Sequence, residues 1–212
     1  MGRAVKPHDL LRIASDPHAF PDAPGWVERS LFRAPYVVVR RAPSLNGAIA
    51  IGIRGTERRE RFGAWLDAAH VMAVVTPEAL RGLGPDAGRI DLPAFALLRA
   101  IAPLCDDTGC AWGPTGSVGF ELASGAATVT PASDLDLLVR APTPLTRKQA
   151  SDFHTALSNA ASATGTRIDI QVETRDSVFS LAEFARPGVR VMLRSPAGPI
   201  LVADPWQREN VA

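Results

Sequence analysis

The sequence predicts an α+β protein in two parts: a small α/β N-terminal domain over residues 1–84 and a mixed-sheet domain over residues 85–212. Three observations carry that expectation. Short apolar runs of strand type alternate with amphipathic stretches of helical period along the chain. The Gly- and Pro-rich stretch Gly82-Leu83-Gly84-Pro85-Asp86-Ala87-Gly88 interrupts them and reads as a linker. Beyond it, acidic residues sit inside apolar strands.

Leu10, Leu11 and Ile13 form an apolar stripe that predicts a short helix over Pro7 to Ala14. Pro17, Pro21 and Pro24 then punctuate a loop. Tyr36 to Arg40 and Ala48 to Ile53 read as strands joined by the turn-forming Pro43-Ser44-Leu45-Asn46-Gly47. Phe62, Trp65, Leu66 and Ala69 fall at i, i+3, i+4 and i+7, so Thr56 to Ala69 is expected to be an amphipathic helix. In the second part, Asp91 is placed to cap a helix through Phe95, Leu98 and Ile101. Ala111 to Val118 reads as a glycine-rich turn, Glu121 to Thr130 as a strand pair, and Leu135 to Val139 as an apolar strand. Thr146 and Gln149 make a capping box for a helix that turns Phe153, Leu157 and Ala160 inward and ends at Gly165. Ile168, Ile170 and Val172 alternate as a strand. Asp176 is expected to cap a helix through Phe179 and Phe184, with a late strand over Val189 to Leu193.

The bulk composition excludes several classes. A formal charge of +1 lacks the basic excess that nucleic acid or an anionic membrane calls for. No apolar run approaches the roughly 20 residues of a membrane span. Cys105 and Cys110 have no matching Cys or His pair, so no zinc site is expected. Isolated thiols without a secretory leader set the expected location in the cytoplasm.

The chemistry-bearing residues are Gly116-Ser117, then Ser133-Asp134-Leu135-Asp136-Leu137-Leu138-Val139, then Asp169 within Arg167-Ile168-Asp169-Ile170-Gln171-Val172. On a strand, Asp134 and Asp136 project from one face, with Leu135 and Leu137 behind them. Carboxylates held that close repel unless a cation neutralises them, and hard oxygen ligands suit Mg²⁺. Asp169 follows the same logic on the next strand, so three carboxylates are expected to converge on metal. The Gly116-Ser117 turn would offer backbone N–H groups and a hydroxyl to phosphate oxygens. Singly, each feature has a plainer explanation: a solvated strand end, a turn, or an ion pair of Asp169 with Arg167 or Arg175. Their order together is what carries chemistry.

That order resembles the nucleotidyltransferase fold of the polymerase-beta superfamily. Sixteen residues separate Ser117 from Asp134, a longer gap than that pattern usually has. The wider segments narrow the likeness. Trp112 to Gly125, Ser133 to Val139, Ala34-Pro-Tyr-Val-Val-Val-Arg-Arg41, Ile51-Gly-Ile-Arg-Gly55 and Gly198 to Trp206 resemble the phosphoribosyl-dephospho-CoA transferases, the holo-acyl-carrier-protein synthases of malonate decarboxylase. The resemblance implies that a serine of the acyl carrier protein attacks the α-phosphorus of triphosphoribosyl-dephospho-CoA and that pyrophosphate leaves. It further implies one Mg²⁺ on Asp134 and Asp136 holding the triphosphate, and a second, shared with Asp169, activating the hydroxyl.

Arg54, Arg58, Arg59 and Arg61 crowd the start of the expected Thr56 helix. They read either as a contact for phosphate or for an acidic carrier, or as a solvated face alternating with Glu57 and Glu60. Trp26, Trp65, Trp112 and Trp206 read as core or interface residues, with Trp112 beside the glycine turn the one alternative candidate to stack on a base. Two rival functions stand beside the main one: transfer of AMP or another nucleotidyl group, and a non-enzymatic nucleotide-binding module.

Overall fold

The computed structural model describes residues 5–14, 20–42, 45–57, 59–175, 177–195 and 198–207. The first of two sheets carries β1 (Leu10–Ile13), β2 (Tyr36–Val39), β3 (Ile49–Arg54), β4 (Arg61–Leu66) and β5 (Val71–Val75). It is antiparallel in the order β4-β3-β2-β1-β5, and α1 (Gly25–Arg33) packs over β3. Leu11, Ile13, Val27, Val37, Ile51 and Ile53 form its core.

Two expected helices are strands. Pro7 to Ala14 contains β1, a central strand buried on both faces: Leu11 and Ile13 enter the N-terminal core, while Leu10 joins the core of the second sheet. A strand covered on both sides loses its polar alternation, and three apolar residues in four then mimic a helical stripe. Within Thr56 to Ala69, β4 pairs with β3 residue by residue from Ile49↔Leu66 to Arg54↔Arg61. Phe62, Ala64 and Leu66 turn inward at a period of two, and Trp65 faces solvent. Both periods fitted the apolar residues; the ladder to β3 decided between them.

The second sheet follows the order β11-β10-β9-β8-β7-β6. Along the chain come α2 (Pro93–Asp106), β6 (Ala111–Pro114), α3 (Gly116–Ser124), β7 (Leu135–Arg140), α4 (Arg147–Thr164), β8 (Ile168–Glu173), β9 (Val178–Ser180), α5 (Leu181–Phe184), β10 (Val191–Ser195) and β11 (Gly198–Val202). β7 and β8 run parallel and the other pairings are antiparallel, so α4 is the crossover that parallel strands require. The capping box opens α4 with both reciprocal bonds, and Gly165 ends it in the left-handed region. The architecture is α+β, and no helix among the described residues is long and apolar enough to cross a membrane.

Four local expectations change here. Leu92, not Asp91, holds the cap position of α2, which begins on Pro93, where a missing N–H is harmless. Ala111–Pro114 is a strand, leaving the turn to Thr115 and Gly116. Glu121 to Thr130 is no strand pair: α3 runs to Ser124 and stops at Gly125 (φ 71°). Thr128 and Val129 are β-branched residues of strand type, yet both donate their N–H groups to the Glu121 carboxylate at 2.7 Å. Phe179 and Phe184 fall on β9 and α5, and Asp176 lies outside the described residues.

A buried ionic knot joins the sheets. Arg140, at the end of β7, bonds Glu173 of β8 and Glu78, with Asp9 of the N-terminal domain 3.7 Å away. Arg41 reaches Glu173 at 3.2 Å.

Candidate active site

The site starts from the register of β7 and β8. Leu135, Leu137 and Val139 are buried in the core on one face, which pins the register, because a slip of one residue would expose all three. The opposite face carries the cross-strand pairs Asp136–Asp169, Leu138–Gln171 and Arg140–Glu173. The N–H of Leu135 donates to the Arg167 carbonyl at 2.9 Å, extending the ladder and setting Asp134 beside Arg167. Arg167 forks onto Asp134: Nη2 donates to Oδ1 at 2.7 Å and to Oδ2 at 3.0 Å, and Nε donates to Oδ1 at 3.0 Å. Oppositely charged pairs thus close both ends of the face, and a like-charged pair stands between them. Burial, then the charges of Asp169 and Asp134, push the Asp136 carboxyl above its ordinary range, and Arg54 opposes them.

The glycine turn lies against this carboxylate. The N–H of Thr115 donates to the Asp136 carbonyl at 2.9 Å. Gly116 has φ 59°, and a Cβ there would overlap the Asp136 carboxyl group. Glycine answers both demands, for left-handed backbone and for room. Ser117 follows in the first turn of α3, and its carbonyl accepts the Thr128 hydroxyl at 3.0 Å. The loop after α3 is organised by buried Glu121, which also accepts from Arg89. Burial raises the Glu121 carboxyl, but Arg89 and the N–H groups of Val129 and Thr128 outweigh it and hold the group below its usual range.

A cleft of about 700 Å³ opens here between the two domains. Gly116, Ser117, Asp134, Asp136 and Arg167 line one wall; Arg33, Tyr36, Arg54 and Arg61 line the other. Tyr36 and Phe120 meet edge to face across it, with centroids 6.4 Å apart. Arg54 and Arg61 are register partners on the β3–β4 hairpin, a like-charged pair of opposite sign to Asp136–Asp169.

Asp169 is exposed beside Asp136 and is not part of the cleft lining. Arg59 is 84% exposed and pairs at 2.7 Å with Glu57 on the cleft rim, without lining the cleft itself. Arg58 lies outside the described residues. Trp112 is fully buried: its indole N–H donates to Asp106 at 2.8 Å, which removes it as a stacking platform. Arg33, Tyr36, Glu121 and the pairing of Arg167 with Asp134 were missed. Arg167 alone carried a usable signal, since it shares strand parity with Asp169.

Among the described residues, no three acidic, histidine or cysteine side chains stand close enough to hold a metal ion as they are. Asp134 is turned to Arg167 instead. What fits a divalent cation is the pair Asp136–Asp169, two oxygen donors whose repulsion a cation would relieve, beneath a turn with no side chain to block it.

Two family models match the chain: the phosphoribosyl-dephospho-CoA transferase MdcG N-terminal domain over residues 6–77 and the C-terminal domain over residues 82–205. The chain is 42% identical over 204 residues to the phosphoribosyl-dephospho-CoA transferase of Pseudomonas putida (strain W619), covering 96% of each chain. It is 41% identical to that of Azotobacter vinelandii, over 95% of this chain and 94% of the relative. The corresponding figure for Pseudomonas aeruginosa is 40%, over 97% and 96%. No solved structure matches.

Proposed function

The chain belongs to the phosphoribosyl-dephospho-CoA transferase MdcG family, and from that membership we propose that it transfers phosphoribosyl-dephospho-CoA from triphosphoribosyl-dephospho-CoA to a serine of the malonate decarboxylase acyl carrier protein. The serine Oγ–phosphorus bond forms, the bond to pyrophosphate breaks, and the hydroxyl proton is released. The reaction runs in the cytoplasm with Mg²⁺.

One observation carries the reading: the like-charged Asp136–Asp169 pair beneath the Gly116 turn, at a cleft whose far wall holds Arg54 and Arg61. Asp136 and Asp169, joined by Asp134, would hold Mg²⁺. Bound Mg²⁺ supplies charge neutralisation for a triphosphate and its leaving pyrophosphate. Gly116 and Ser117 turn the first N–H groups of α3 toward the phosphates. Arg54 and Arg61 meet the same phosphates from the N-terminal domain. Arg59, exposed between β3 and β4, takes the contact with the acidic carrier, and Arg58 beside it in the sequence carries the same charge.

The test is mass spectrometry of apo carrier protein incubated with this protein, Mg²⁺ and triphosphoribosyl-dephospho-CoA, with ATP as control donor. The expected product is the carrier plus the prosthetic group, from the first donor and not from ATP. Asp136→Asn is expected to lower the rate by about 10³-fold or more. An unmodified carrier, or equal labelling from ATP, rejects the reading.

A further inference from the structure

We propose that Arg167 is a built-in counter-ion of the metal site: it holds Asp134 while no metal is bound, yields it to Mg²⁺, and then offers its guanidinium to the phosphates of the donor. The inference rests on the metal-site reading above and assigns Arg167 first to a ligand of that site and then to the donor.

The β7–β8 face supplies the argument. Asp134 and Asp136 lie two residues apart on one face, so Asp134 is the natural third ligand beside Asp136 and Asp169. As it stands both of its oxygens are turned to the Arg167 fork rather than to Asp136 and Asp169. That pair is built to exchange. The Arg167 side chain is 81% exposed and that of Asp134 42%, and an ion pair open to water is held only weakly. A divalent cation that also draws on Asp136 and Asp169 outcompetes a single guanidinium on one carboxylate.

The displaced guanidinium does not leave the site. Arg167 and Asp134 both line the cleft, on the wall that carries Gly116 and Ser117. A planar fork that has matched a carboxylate also matches a phosphate. Arg167 would thus move from a protein anion to a substrate anion, keeping its charge paired in both states.

The experiment titrates Mg²⁺ against the full chain without donor, following the thermal unfolding midpoint. Wild type is compared with Arg167→Gln and with Arg61→Gln, which removes the same charge from the opposite wall. Arg167→Gln is expected to lower the half-saturating Mg²⁺ concentration about three- to fivefold, and Arg61→Gln clearly less. In the transfer assay Arg167→Gln should raise KM for the donor several-fold more than it changes kcat. No shift in Arg167→Gln, or the same shift in both variants, overturns the proposal, because the effect would then be absent or a general one of charge. Wild type that Mg²⁺ does not stabilise overturns it together with the metal site, whereas failure of carrier labelling alone strikes the transfer reading and leaves the titration standing.

Discussion

Where β7 and β8 end, Arg140 lies between Glu173 and Glu78, and water reaches about a tenth of the Arg140 and Glu173 side chains (10% and 9%). Where the same strands begin, Asp134 and Arg167 make a bond of the same kind with 42% and 81% of their side chains exposed. Between them Asp136 faces Asp169. Solvent separates the roles. In the buried pair, neither partner can be removed without stranding a charge in a low-dielectric setting. In the open pair, water or a ligand can replace either partner at small cost. The buried pair anchors a knot that Arg41 and Glu78 tie to the N-terminal domain; the open pair can answer to what enters the cleft.

The largest test of that contrast is Arg140→Met. It takes the guanidinium from two carboxylates at the domain junction, and a loss of roughly 3–5 kcal/mol is expected in denaturant unfolding. Arg167→Gln should cost under about 1 kcal/mol in the same assay. Equal losses would erase the distinction.

His8 probes the buried end at smaller scale. It lines the cleft beside the knot, with φ 74°. Burial, followed by the charge of Arg41, pushes its imidazole down to about 4, against a partial upward pull from Glu173. The unfolded chain therefore takes up this proton first as pH falls, and the fold loses stability from about pH 6.5 down to 4. His8→Asn, which tolerates left-handed backbone, should remove on the order of 2 kcal/mol of that acid loss. Urea midpoints at pH 7 and pH 4.5 decide it; an unchanged difference would assign the acid sensitivity to the carboxylates of the knot.

The contrast also explains what could be read from the sequence. The α4 capping box, β7 and β8 were legible because each is fixed by its own residues: Thr146 with Gln149, and apolar residues at period two around Asp136 and Asp169. That those two acids share a face follows from the alternation. β1 and β4 were misread because neighbours decide them, β1 by burial on both sides and β4 by its ladder to β3. The Arg140 knot was invisible, and Arg54 and Arg61 could be read as a phosphate contact but not placed opposite Asp136, since the N-terminal residues meet the C-terminal domain only through docking of the two sheets. Which acid Arg167 chooses depends on the strand register, so the sequence pointed to Asp169 on its own strand and the structure pairs it with Asp134.

The smallest expected effect falls on the like-charged pair in the middle. The Asp136 carboxyl is raised, so the folded chain binds that proton more tightly than the unfolded chain does. Stability is therefore favoured while the group is protonated and declines as pH rises from the ordinary carboxylate range through the raised value, with the whole cost present above it. Asp136→Asn carries no charge and escapes that cost. In metal-free protein at pH 7 the variant should be more stable than wild type by up to about 1 kcal/mol, the range for like charges set opposite one another on adjacent strands. The advantage should vanish when both proteins are melted below the carboxylate range. Mg²⁺ should reverse the order at pH 7 by stabilising wild type and leaving the variant nearly unmoved. Thermal melts of the two proteins at both pH values, with and without Mg²⁺, test each step. A variant less stable than wild type at pH 7 without metal would mean that the Asp136 carboxylate is satisfied by its surroundings, and the middle pair would then belong with the structural end of the strands rather than with the exchangeable one.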